Sequence, residues 1–375
     1  MSPLRWVVNA GGTIRPEEKG NGMAYRVVQW ASGAMGKTCL RALIDSPQCQ
    51  LAGLFVYGAD KDGRDAGEIA RRPHQGIAAT RNPDAILALD ADVAIHCARL
   101  APPYGSHDSE IIHLLASGKN VISINGYSCP QHWGGERLAR LEAAARAGGS
   151  TLLAAGLNPG FVAEQLAVVA TGVCARLDHV EVVETVDCRV IRSPDYAFTV
   201  LGFGADPAQV DPNDPAWGPA SSLNGMYSEV LAAMAHHLGL TLERVTTEHQ
   251  AFPATKVLEV GAGRIEAGMI SHVHWRWRGW AGGEPRLAMS IHWTMEPAHL
   301  PEPDPPLWRV RISGSPGVNI AVDLDKPADD TTLTSAEQLG LAGAVLNAIP
   351  LVVAAPPGVM IRPLATPFRF DRSRA

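Results

Sequence analysis

Tyr25-Arg26-Val27-Val28-Gln29-Trp30-Ala31-Ser32-Gly33-Ala34-Met35-Gly36 reads as a short strand, a glycine-bearing turn and the opening of a helix. Such a turn seats a dinucleotide pyrophosphate. Gly33 lets the backbone approach the phosphates, Gly36 lets the helix pack on the strand, and the free amides of the first helical turn hold the anion. Ser32, Gly33, Ala34, Met35 and Gly36 are therefore the expected phosphate cradle. Ala31 stands where G-x-G-x-x-G has its first glycine, so context has to support the reading. Leu40, Leu43 and Ile44 recur at helical spacing before Pro47, and the apolar run 51–57 follows at the distance of a strand-helix-strand unit.

Further along, strands are expected at 26–30, 51–57, 93–97, 120–124 and 151–155, with helices over 109–117 and 135–147. This alternation predicts a parallel sheet covered on both faces. After a helix over 161–175 the apolar period changes to two, first in Val180-Glu181-Val182-Val183-Glu184-Thr185-Val186 and then in 272–280, 286–295, 308–312 and 319–324. The fold class is thus α/β: a Rossmann-type parallel-sheet domain (23–156) followed by an α+β domain with a mainly antiparallel sheet (157–330). A C-terminal helix over 334–349, within 331–375, returns to the first domain. Residues 1–22 read as a disordered tail, or as sequence upstream of a true start at Met23.

Composition narrows the partners. The 375 residues are 46% hydrophobic and 19% charged, with a formal net charge of −6. No basic run is available to neutralise phosphates, so no nucleic acid is expected. No apolar stretch approaching ~20 residues is read, so no membrane is expected either. The six cysteines are dispersed without a C-x-x-C pair, which suits a reducing cytoplasm. His272, His274, Arg276 and Arg278 share a strand face with His292 opposite, but no acid or cysteine stands at ligand spacing, so no metal is expected. His236-His237 reads as a chance pair on a solvated helix face.

Ligands of a parallel sheet bind beyond the carboxyl ends of its strands. At the second strand the chain reads Tyr57-Gly58-Ala59, without the acid that bonds both ribose hydroxyls in NAD-specific enzymes, and Lys61 and Arg64 follow to hold a 2′-phosphate. NADP fits better than NAD, and use of both is compatible with these residues. Ala98, Arg99, Asn125, Asn158, Pro159 and Gly160 fall along the same edge and complete the expected cofactor contacts. Tyr104, Phe161, Phe198 and Trp217 are aromatic residues beside the expected cleft and suit a fairly large apolar substrate.

The motifs Gly33-Ala34-Met35-Gly36, Gly118-Lys119-Asn120-Val121-Ile122-Ser123, Gly156-Leu157-Asn158-Pro159-Gly160-Phe161 and Asn347-Ala348-Ile349-Pro350 occur in order across the chain after Met23. In this the chain resembles the dihydrodipicolinate reductase-like superfamily, and within it the group of 2,4-diaminopentanoate dehydrogenase and the native NAD(P)H-dependent amine dehydrogenases. The resemblance implies a second domain whose sheet supports a homodimer, and hydride transfer between the nicotinamide and an imine carbon; the expected partner is a small-molecule substrate, an apolar ketone, imine or amine. It also exposes a departure. Those amine dehydrogenases carry a glutamate just after the Asn-Val-Ile-Ser strand, where this chain has Ile124-Asn125-Gly126-Tyr127. Tyr127, given a lowered pKa, or His107 is then the expected proton donor, with Asn158 positioning ring or substrate. The alternatives are a carbonyl or C=C reductase without amine chemistry, and a non-catalytic protein that binds NADPH or a metabolite.

Overall fold

The computed structural model describes residues 6–8, 14–16 and 24–370. Within the segment read as a tail, Trp6–Val8 and Ile14–Pro16 pair antiparallel; the rest of 1–22 lies outside the described residues.

The opening stretch folds as its sequence dictates, with β1 (Tyr25–Trp30), the turn, and α1 (Ala34–Asp45). β2 (Cys49–Phe55), β3 (Ala79–Thr80), β4 (Val93–His96), α2 (Asp108–Ala116), β5 (Asn120–Ser123), α3 (Gly135–Gly148) and β6 (Thr151–Ala154) follow. Side chains alternate across the sheet. Val27, Leu54, Ile95, Ile122 and Leu153 pack on one face, and Val28, Ala94, Val121 and Leu152 on the other. Both sets are fully buried, each Val, Leu or Ile side chain contributing roughly 1.5–3 kcal/mol.

β7 (Arg176–Asp187) opens the second domain. It is followed by α4 (Gly218–Leu238), a 21-residue helix that carries His236-His237 near its end. The remaining strands are β8 (Arg244–Thr247), β9 (Gln250–Pro253), β10 (Ile270–Ala281), β11 (Glu284–Thr294), β12 (Trp308–Ser315) and β13 (Val318–Val322). Their order is β8-β10-β11-β7-β12-β13, with β9 also on β10. All pairs are antiparallel except β11 with β7, which run parallel. One face buries Val273, Trp275, Trp277, Met289 and Ile291 against α4. His237, in the pair read as solvated, turns inward and is buried.

The chain then returns to the first domain through α5 (Ala336–Leu346), α6 (Ile349–Ala354) and β14 (Gly358–Met360). β14 adds to β6, so the parallel sheet reads β14-β6-β5-β4-β1-β2-β3. Together α5 and α6 form an apolar stretch of 19 residues, longer than the sequence reading allowed. Its buried residues, Ala342, Val345, Ile349 and Val352, cover the sheet face that also receives α1.

Candidate functional site

Gly33 caps α1, and a Cβ built on it meets nothing within 4 Å, so space lies open before the helix amides. A Cβ on Gly36 would overlap the Ala31 carbonyl oxygen, because helix and strand touch there through bare backbone. The first turn of α1 carries no acid. Lys61 Nζ donates to the Ser32 carbonyl at 3.0 Å. Partial burial, together with the cations of Lys61, Arg41 and Arg71, lowers the pKa of Lys37. An open helix N-terminus ringed by cations fits a phosphate. Arg64 instead turns to Glu68, at 2.6 Å.

Beside this turn the ends of β1, β2 and β4 converge on Glu110, in the first turn of α2. Its carboxylate accepts from Tyr57 Oη at 2.7 and 2.8 Å, Trp30 Nε1 at 3.2 Å and His96 Nε2 at 2.9 Å, and lies 3.3 Å from His107 Nδ1. Burial works against the charge on Glu110, yet the bonds from His107, His96 and Tyr57 hold its pKa well below the usual carboxylate range. His107 also donates from Nε2 to the Arg99 carbonyl at 2.9 Å. The bond to Glu110, then that carbonyl, raise the His107 pKa above 6.5. Protonated His107 therefore contributes stability that is complete below pH 6.5 and lost as pH rises through its folded pKa. Removing it as His107→Gln should cost roughly 1–3 kcal/mol at pH 6 and progressively less towards pH 9, read as the gap between wild-type and variant denaturation curves.

Further along the strand edge lies the cleft between the domains. Asn125 donates its side-chain amide to the Ala98 carbonyl. Arg99 pairs with Asp195 at 3.0 Å. Asn158, Pro159 and Gly160 follow β6, and both amide atoms of Asn158 are buried without a hydrogen-bond partner. The Glu184 carboxylate on β7 accepts from Trp308 Nε1 at 3.0 Å and is near enough to Asn158 to be influenced by it. Phe161 and Tyr196 are exposed aromatics, whereas Phe198 packs on the cluster of Leu201, Phe203, Ile265 and Met295, and Trp217 stacks on Trp275 at 5.5 Å. Of the expected substrate residues, Phe161 alone presents a largely open ring.

Tyr127 and Tyr104 are engaged elsewhere. The Tyr127 hydroxyl is buried and donates to Asp108 at 2.8 Å, and Arg137 holds the same carboxylate at 2.8 Å. Burial, then Asp108, push the Tyr127 pKa up, opposite to the lowered value that proton donation calls for. Tyr104 donates to Glu229, a fully buried residue of α4 that also accepts from the Cys129 amide at 2.8 Å and Trp133 Nε1 at 2.9 Å. These bonds fix the loops after β4 and β5 to the second domain. The sequence reading passed over Glu184 and Glu229. For Glu184 a signal existed: it has the same parity as Val180 and Val182, so an acid occupies the apolar face of its strand.

The opposite face of the second sheet holds the expected histidine stripe. His274 stacks on His292 with ring centroids 4.0 Å apart, and His272 Nε2 lies 3.2 Å from His292 Nδ1. Burial and mutual repulsion push His272 and His274 down to about 3. Arg276, Arg309, Glu181 and Glu302 join them around a cavity of about 350 Å³.

No protein-family model matches the chain. Over 349 residues it is 25% identical to an amine dehydrogenase of Streptomyces virginiae, covering 88% of this chain and 93% of that one. The solved structure of an amine dehydrogenase from Mycobacterium smegmatis superposes with a TM-score of 0.74 at 20% identity, over 90% of this chain and 95% of that chain. An oxidoreductase of Agrobacterium radiobacter, solved with NAD+, L-tartaric acid and magnesium, gives 0.52 at 9% identity over 90% of both. The likeness to an amine dehydrogenase thus spans nearly the whole chain, and the fold is that of nucleotide-dependent oxidoreductases.

Proposed function

We propose that the protein is an NADP-preferring oxidoreductase that moves hydride between the nicotinamide and the C=N or C=O carbon of an apolar small-molecule substrate, with ammonia taking part as in an amine dehydrogenase. The observation that carries this reading is the Ser32–Gly36 turn, open at Gly33, ringed by Lys37 and Lys61 and continuous along the strand edge with the unsatisfied amide of Asn158. When bound, the nicotinamide supplies or accepts the hydride. The chain does the rest. The α1 amides hold the pyrophosphate, Asn158 offers a donor and an acceptor to orient the reacting group, and Phe161 and Tyr196 shield one side of the cleft from water. The amine reading draws on the full-length likeness to the Streptomyces virginiae protein. A carbonyl reductase without ammonia is the second reading, motivated by Ile124-Asn125-Gly126-Tyr127, which puts no carboxylate after β5.

Titration of the protein's fluorescence with NADPH and NADH, followed by a ketone panel read at the NADPH absorbance with and without ammonia, separates the readings. Ammonia-dependent oxidation supports the first. Oxidation indifferent to ammonia supports the second, and binding without oxidation removes both. Within the same titration Lys61→Ala should weaken NADPH by roughly 10- to 100-fold, the worth of a hydrogen bond to a charged group, while NADH affinity moves less than about threefold. Equal losses for both nucleotides would place Lys61 away from the 2′-phosphate.

A further inference from the structure

Glu184 sits where the alternation of β7 calls for an apolar side chain. Val180 and Val182, at the same parity, are fully buried in the core shared with α4, and Glu184 continues that face towards the strand's end, mostly but not wholly buried. Its register partners are Ile291 on β11 and Trp308 on β12, and the Trp308 indole fixes its carboxylate. Asn158 stands beside it at the end of β6, its buried amide close enough to lower the Glu184 pKa but without a well-formed hydrogen bond. The titratable groups that face it are Tyr227 from α4, Glu337 from α5 and Cys188 just after β7. The Trp308 bond leaves acceptor capacity on this carboxylate, the Asn158 amide beside it is only loosely held, and nothing else among the described residues fills both. A polar reacting group between them does.

We propose that Glu184, from the second domain, is the acid and base that handles the substrate's protons, in place of the glutamate missing after β5, and that Asn158 holds the reacting nitrogen or oxygen against it. This rests on the function read above. Burial pushes Glu184 up to about 7, with Trp308 and Asn158 opposing, so both of its forms are populated at neutral pH. In the reductive direction ketone and ammonia form a carbinolamine. Glu184 gives its proton to the carbinolamine hydroxyl, the C–O bond breaks with both electrons leaving on water, and the nitrogen lone pair forms C=N. Glu184 is left as a carboxylate beside the iminium cation, which it stabilises. Hydride then adds to the carbon, the C=N pair returns to nitrogen as the neutral amine, and a solvent proton restores Glu184. Glu164, the other acid pushed up to about 7, is held apart by Ser128 at 2.6 Å and by Arg362, in a small cavity against β6.

Two measurements test this on the full chain. In pH-difference infrared spectra the protonated-carboxyl band lost in Glu184→Gln should titrate near neutral pH in the wild type without cofactor; a band that disappears by about pH 5 overturns the proposal. In the ketone and ammonia assay Glu184→Gln should lose at least ~100-fold in kcat with NADPH affinity unchanged within threefold, and Glu184→Asp should recover part of the rate. A Glu184→Gln protein that melts like wild type and keeps its kcat also overturns it. If the wild type binds NADPH but turns over no ketone, the function reading fails, and the infrared titration alone decides whether Glu184 exchanges a proton.

Discussion

Gly33→Val should leave the protein folded and abolish its hold on the nucleotide, whereas Gly36→Val should damage the fold itself. The two glycines lie three residues apart and do different work. A Cβ at Gly33 meets nothing within 4 Å, and the residue's φ of −67° suits any side chain, so the valine costs the apoprotein little. It would project into the space before the α1 amides. Several phosphate contacts then fail together, and we expect NADPH affinity to fall by at least ~100-fold, about 2.7 kcal/mol, with an unchanged melting curve. At Gly36 the added atom would overlap the Ala31 carbonyl, and a rigid strand and helix cannot both yield. That variant should melt earlier, and its loss of binding should follow from the lost structure. If Gly33→Val binds NADPH as wild type does, the turn is not the nucleotide site.

The second large effect is expected at Glu229. Its carboxylate is fully buried yet surrounded by donors, from the Cys129 amide, the Trp133 indole and the Tyr104 hydroxyl, with Arg137 3.9 Å away. Glu229→Ala removes the acceptor and leaves three donors, among them the buried Cys129 amide, and a cation without it, a loss of roughly 3–5 kcal/mol in global stability. Tyr104 and Cys129 belong to the loops after β4 and β5, both bordering the cleft, so KM for the carbonyl substrate should rise before the fold is lost. Chemical denaturation measures the first effect, and kinetics at low temperature the second. A variant as stable as wild type would show that the network is already broken by water.

Much of the first domain was legible because each of its elements is specified by neighbours in sequence. The turn needs small residues at Gly33 and Gly36, the strands are short apolar runs, and Gly148-Gly149 ends α3. Strand ends differ from expectation by at most two residues, as for β2, where the chain leaves the sheet before Val56. The second domain was harder. α4 begins Gly218-Pro219 and contains Gly225, which lowers its helical propensity. Gly225 is needed because the Tyr104 ring lies against it, a contact made more than a hundred residues away in sequence. The site shows the same division. The Ser32–Gly36 turn, open before the α1 amides, was readable from one segment. The roles of Tyr127, Tyr104 and Glu184 depend on partners such as Asp108, Glu229 and Trp308, which only the folded chain brings near. β3, two residues long, carries too little pattern to be seen at all.

β14 joins the edge of the nucleotide-binding sheet only after the second domain has been traversed, and α5 and α6 cover a face of that sheet from the same late segment. As the chain leaves the ribosome, the first domain therefore emerges early and finishes last. Until residues 336–360 arrive, Leu153 and Ile122 lack the α6 side chains that seal them, and β6 has an open edge of the kind that recruits stray strands. The long excursion through β7 to β13 can close on itself in the meantime. The nursery for this protein is its own second domain, and a truncation before residue 336 would release a sheet that binds partners indiscriminately.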